Sequence, residues 1–131
     1  MNKKIILSII FVVILIAVAS FLTRKNSNEI NNDIPINNVS IVDGKQIIEI
    51  KAKGGYTPRE STAKAGIPTI LRFNTNGTFD CSSSVLIPSM NISKLLQNSG
   101  TTDIDLGNPK LGTLQGMCGM GMYPFQINFQ P

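Results

Sequence analysis

Histidine is absent from all 131 residues, and cysteine occurs only twice, at Cys81 and Cys118. Without histidine, a blue-copper site built from two imidazoles and a thiolate has no ligands. A zinc site prefers four Cys or His ligands, and an iron–sulfur cluster normally takes four cysteines, so both are short of donors. The commonest general base is also missing, and no Walker-type, G-x-S-x-G or H-E-x-x-H motif appears. Calcium calls for a carboxylate-rich loop, which the chain does not offer. These absences favour a carrier or a scaffold over an enzyme.

Excess charge is lacking too, once its location is considered. The formal net charge is +4, but Lys3, Lys4, Arg24 and Lys25 account for all of it. From Asn26 onward basic and acidic residues balance, so nucleic acid is not an implied partner. After Leu22 no long helical period and no internal repeat are found. Before it, Ile5 to Leu22 is a run of about 18 residues in which only Ser8 and Ser20 are polar, the length at which a helix becomes a membrane-span candidate. An uncleaved anchor over residues 1–25 is the expectation, because the run exceeds a secretory h-region. A cleaved signal ending near Ala17-Val18-Ala19 is the alternative. Two basic residues flank each end, so the positive-inside rule does not fix orientation.

Residues 26–38 carry six asparagines, Pro35 and no sustained apolar period, and read as a linker. About 15 flexible residues reach about 20 Å. The folded domain is expected over 39–131. Val39 to Val42, Gln46 to Ala52, Thr69 to Asn74, Ser83 to Ile87, Thr101 to Leu106, Gly112 to Met117 and Phe125 to Phe129 read as strands. Their apolar alternation is broken by turn dipeptides such as Asp43-Gly44 and Asn76-Gly77. Tyr56 to Pro68 reads as a long connection, and Asn91 to Leu96 as a single helical turn. The class is all-β, an antiparallel sandwich with one modest core.

What the chain does have is sulfur in one place. Met117-Cys118-Gly119-Met120-Gly121-Met122 packs four sulfur side chains into six residues. Thiolates and thioethers are soft ligands that select Cu(I) over most biological metals. In extended backbone Cys118, Met120 and Met122 share one side, and Met117 points to the other, toward the core. Intervening glycines permit a tight loop, and Cys81 lies on an earlier connection that a Greek-key sandwich can bring to the same end. Met90 and Met117 read as packing, since methionine is a common gap-filler. The cysteine pair has its own plain reading, a structural disulfide in an oxidising space.

The order Tyr56-Thr57-Pro58, Cys81, Ile87-Pro88-Ser89, Gly112-Thr113 and Cys118-Gly119-Met120-Gly121-Met122-Tyr123 resembles the histidine-free cupredoxin domains. With the preceding helix and linker, it resembles in particular the membrane-anchored copper chaperones of Gram-positive bacteria. That resemblance implies a cupredoxin-like Greek-key β-sandwich behind an N-terminal transmembrane helix. It further implies two Cu(I) ions in a thiolate-bridged centre, with Cys81, Cys118, Met120 and Met122 as ligands. Delivery to the metal-binding domain of a copper-exporting P-type ATPase is the implied role. An electron-transfer or oxidase-associated copper protein, and a structural sandwich with a disulfide, remain as alternatives. A cell-membrane location is expected, with the domain leaning to the cytosolic side because its thiols must stay reduced.

Overall fold

The computed structural model describes residues 2–23 and 37–131. Most of the expected linker therefore lies outside the described residues. The chain divides into two compact units, one around the N-terminal helix and one holding the sandwich.

Helix α1 spans Lys3–Thr23. Its side chains are described as far as Ala19, and those from Ile5 to Val18 are apolar apart from Ser8, with no polar face. A helix apolar all round is one made for a non-aqueous surrounding. Among the described residues no helix is long and apolar enough to cross a membrane. The expected run extends to Leu22, beyond the last described side chain.

The second unit holds ten strands in two five-stranded sheets. The first sheet orders β1 (Val39–Val42), β2 (Lys45–Ala52), β5 (Thr69–Thr75) and β8 (Gly100–Gly107), with β3 (Tyr56–Thr57) pairing on β2. The second runs β4 (Glu60–Lys64), β10 (Pro124–Gln130), β9 (Gly112–Cys118), β6 (Ser84–Ile87) and β7 (Ile92–Leu95). All seven expected strands are present. The sandwich is not wholly antiparallel, however: β2 pairs parallel with β5, and β4 parallel with β10. The cause is the path of the chain. It leaves the first sheet after β3, contributes β4 to the second, and returns to lay β5 beside β2 in the same direction.

Two local expectations are corrected. The connection 56–68 contains β3 and β4. In β4 the inward positions are the small Ser61 and Ala63, which give no apolar alternation to read. Within 91–96, Ile92–Leu95 form edge strand β7, whereas the helical turn is a 3-10 turn over Pro88–Met90. Exposed Ser93, Lys94 and Leu95 hide the strand's period.

Between the sheets, Ile48, Ile50 and Ala52 of β2 and Leu71 and Phe73 of β5 meet Val85, Ile87, Phe125, Ile127 and Phe129. Each of these Ile, Leu, Val and Phe side chains contributes about 1.5–3 kcal/mol on burial. Gln46 continues the inward row of β2. Its amide is satisfied by donating to the Lys64 carbonyl and Thr69 Oγ1 and accepting from the Lys64 N–H. At one end of the core Tyr56, Phe73 and Phe125 pack edge to face, with centroids 5.0 to 5.7 Å apart. Phe125 lies across Gly116, its β9 partner, so closely that a Cβ there would sit 2.2 Å from the ring. Beyond this aromatic cluster β9 continues to Cys118.

Candidate metal centre

Two loops at the end of the second sheet carry the sulfurs. The first is a 3-10 turn, Cys81–Ser83, which leads into β6. Asp80 caps it. Its Oδ1 accepts from the Ser82 N–H at 2.7 Å and from the Ser82 hydroxyl. Its Oδ2 accepts from the Gly54 N–H at 2.8 Å. These bonds, the Ser82 hydroxyl first, hold the Asp80 carboxyl below the usual aspartate range. Asp80 thus ties the Cys81 turn to the glycine loop that ends β2. Sequence reasoning missed this residue, though Asp80-Cys81-Ser82 is an Asx-turn pattern.

The second loop joins β9 to β10. Cys118 closes β9, opposite Val85 of β6, and is 0% exposed. The Cys118 N–H donates to the Tyr123 carbonyl at 3.1 Å, and the Gly121 N–H donates to the Cys118 carbonyl at 2.8 Å. Gly121 has φ +73°, a left-handed conformation open to glycine at little cost. The chain is therefore a tight turn from Gly119 to Tyr123, as the intervening glycines permit, and the extended alternation does not run past Cys118. Met120 and Met122 stand on it, 78% and 57% exposed.

The expected facing of this loop changes in one respect. Cys118 belongs to the inward row of β9 with Gly116, and Met117 is half-buried on the opposite, outer face. Strand alternation does separate Met117 from Cys118, but with the sides reversed. Met90, expected as packing, is 38% exposed and borders a surface pocket with Leu111 and Phe129.

Cys81 and Cys118 come together as expected. Their Cα atoms lie 5.7 Å apart, and the sulfurs are joined as a disulfide. Among the described residues no group of three or more His, Cys, Asp or Glu side chains gathers to hold a metal. A metal held at this end therefore relies on the two cysteine sulfurs and on thioethers. That donor set fits Cu(I) after the disulfide takes up two electrons and two protons to become a dithiol. In the oxidised form no thiolate is present.

Residues 10–127 match the family model described as Cupredoxin-like domain. The chain belongs to the cupredoxin-like domain family. Its fold is similar to the metal-binding domain of the Streptococcus pneumoniae D39 Cu(I)-exporting P-type ATPase CopA, determined with Cu(I). That match has 24% identity and a TM-score of 0.64, covering 71% of this chain and 93% of that one. It is similar also to a copper-binding protein solved by NMR in the apo form, at 21% identity and TM-score 0.65, over 70% of this chain and 94% of that one. Auracyanin B follows at 12% identity and TM-score 0.52, covering 72% of this chain and 96% of that one. Among curated proteins none matches the chain. At these identities the structural neighbours speak for the sandwich.

Asp80 gives a testable consequence for the Cys81 turn. Its carboxyl accepts these hydrogen bonds more strongly when ionised, and its folded pKa is lowered. The stabilisation is therefore present above the ordinary aspartate value of about 3.9 and lost as pH falls through the lower folded value. Asp80→Ala is expected to lower unfolding stability at neutral pH by about 0.5–1 kcal/mol, as for a lost cap. Urea unfolding of both proteins at neutral pH and below pH ~3 checks it. The gap between them narrows in acid, and an unchanged gap would assign the loss to something other than the carboxylate charge.

Proposed function

We propose that the domain is a carrier of Cu(I), not an enzyme, held at a membrane by α1. Two cuprous ions are bound by the reduced thiols of Cys81 and Cys118 and by the thioethers of Met120 and Met122. The observation that carries this reading is the meeting of both cysteines beside a turn that leaves two methionines in solvent. Methionine that serves packing is buried, and here it is not. Thiolate sulfur can bridge two cuprous ions, and exposed thioethers can exchange stepwise with the sulfurs of an acceptor. The acceptor in this reading is the metal-binding domain of a copper-exporting P-type ATPase. The fold shared with such a domain supports it, as does the residue pattern of the sulfur loop.

The test uses the full chain in detergent, reduced with a phosphine under anaerobic conditions and titrated with Cu(I) against a chromophoric chelator. Saturation near two equivalents is the expected result. A protein that instead takes up Cu(II) with an intense blue band overturns the reading in favour of electron transfer. A second reading, a structural sandwich, is favoured by the disulfide itself. It predicts no Cu(I) uptake in either redox state and a large loss of stability on reduction.

A further inference from the structure

Ser84 stands between the two sulfur loops. Its backbone N–H donates to the Cys81 carbonyl as the cap of the 3-10 turn. Its hydroxyl donates to the same carbonyl at 3.3 Å and accepts from the Gly119 N–H at 3.1 Å. One side chain therefore joins the residue that bears the first cysteine to the residue after the second. Gly119 is shaped to this contact, because a Cβ there would lie 2.6 Å from the Ser84 oxygen. Ser84 is itself held from the core: the Tyr56 hydroxyl donates to its carbonyl at 2.8 Å. Tyr56 is buried against Phe73 and Phe125. That burial first, and the Asp80 charge second, push its phenol up, so it remains a donor at any physiological pH.

We propose that Ser84 is a positioning residue for the Cu(I) centre, holding Cys81 and Cys118 in register once they are reduced. This inference rests on the copper reading above. In the oxidised chain the sulfur–sulfur bond already fixes the two loops. Reduction removes that bond, and the Ser84 bridge remains. A hard hydroxyl oxygen is a poor ligand for Cu(I), so Ser84 acts through the backbone of its neighbours. Fixing both ligands beforehand reduces the ordering cost that binding must otherwise overcome.

The experiment compares the full-length reduced protein with Ser84→Ala, Ser84→Thr and Gly119→Ala, titrated with Cu(I) against a chelator. Ser84→Ala and Gly119→Ala are expected to bind on the order of ten-fold more weakly, about 1.4 kcal/mol, with a changed thiolate-to-Cu(I) ultraviolet band. Ser84→Thr keeps the hydroxyl and restores both. The Gly119 N–H lies at the surface, where water replaces a lost partner. Thermal midpoints of the reduced apo proteins therefore stay within about 4 °C of wild type. If Ser84→Ala fails to fold, Gly119→Ala carries the test, since it displaces the hydroxyl without removing it. Wild-type affinity in Ser84→Ala, or equal loss in Ser84→Ala and Ser84→Thr, overturns the positioning role while leaving the copper site in place. A wild-type chain that binds no Cu(I) overturns the copper reading itself.

Discussion

Cys118→Ser is expected to abolish most Cu(I) binding, whereas Met120→Ala or Met122→Ala weakens one ion and spares the other. The difference follows from charge and place. A thiolate carries the negative charge that offsets the cuprous ion, and in a bridged centre it serves both ions. A thioether is neutral and serves one. Each methionine truncation is expected to cost on the order of ten-fold in affinity, about 1.4 kcal/mol. Loss of the bridging thiolate leaves no two-ion centre to measure. Cys118 is also a core residue, at 0% exposure, so its serine variant puts a hydroxyl into the interior and loses some stability. The half-buried Cys81 gives the companion variant: Cys81→Ser should lose binding with less effect on folding. Met117→Leu, on the outer face of β9, should bind as wild type. Wild-type protein oxidised to the disulfide should release its copper and regain it on reduction. Chelator-competition titrations with circular dichroism as the folding control check all of these. Damage from Met117→Leu equal to that from Cys118→Ser would undo the assignment of faces.

The strands visible in the sequence are those whose inward rows are large and apolar. Ile48, Ile50 and Ala52, or Phe125, Ile127 and Phe129, alternate with polar residues and are all buried. Strand β4 offers Ser61 and Ala63 instead, so its burial depends on the neighbouring sheet and leaves no local period. The parallel pairs are likewise non-local, set by where the chain crosses between sheets. At the centre, the meeting of Cys81 and Cys118 could be anticipated because a Greek-key sandwich can bring their two connections to one end and the chain has no other cysteine. The turn from Gly119 to Tyr123 could not be read from side-chain spacing. It is fixed by the Cys118–Tyr123 and Cys118–Gly121 backbone bonds, which end the extended alternation at Cys118, while the sides taken by Met117 and Cys118 are set within β9. Asp80 and Ser84 escaped notice, and Tyr56 was read only as part of the family pattern, for a related reason. They tie the two loops together largely through backbone groups of other residues, and a sequence shows candidate ligands more readily than the groups that place them.

Copper tolerance in cells is expected to need both Cys118 and the N-terminal helix. A carrier confined to the membrane meets an integral exporter at raised effective concentration, without any new contact between them. A chain lacking α1 should bind Cu(I) as well as the full chain in vitro and yet protect poorly, whereas Cys118→Ser fails in both respects. Equal protection with and without the helix would show that tethering contributes nothing. Transfer also constrains the side of the membrane. In the proposed reading Cys81 and Cys118 can serve as ligands only when reduced, and the cytosol keeps thiols reduced whereas extracellular spaces favour disulfides. The domain is therefore placed on the cytosolic side in this reading, and membrane-impermeant thiol reagents should leave it unlabelled on intact cells. Labelling from outside would refute that placement. So would recovery of the Cys81–Cys118 disulfide from intact cells, since a bonded pair has no thiolate to give to copper. Either result would leave the geometry of the two loops unchanged and shift the role toward scavenging, or a purely structural one, outside the membrane.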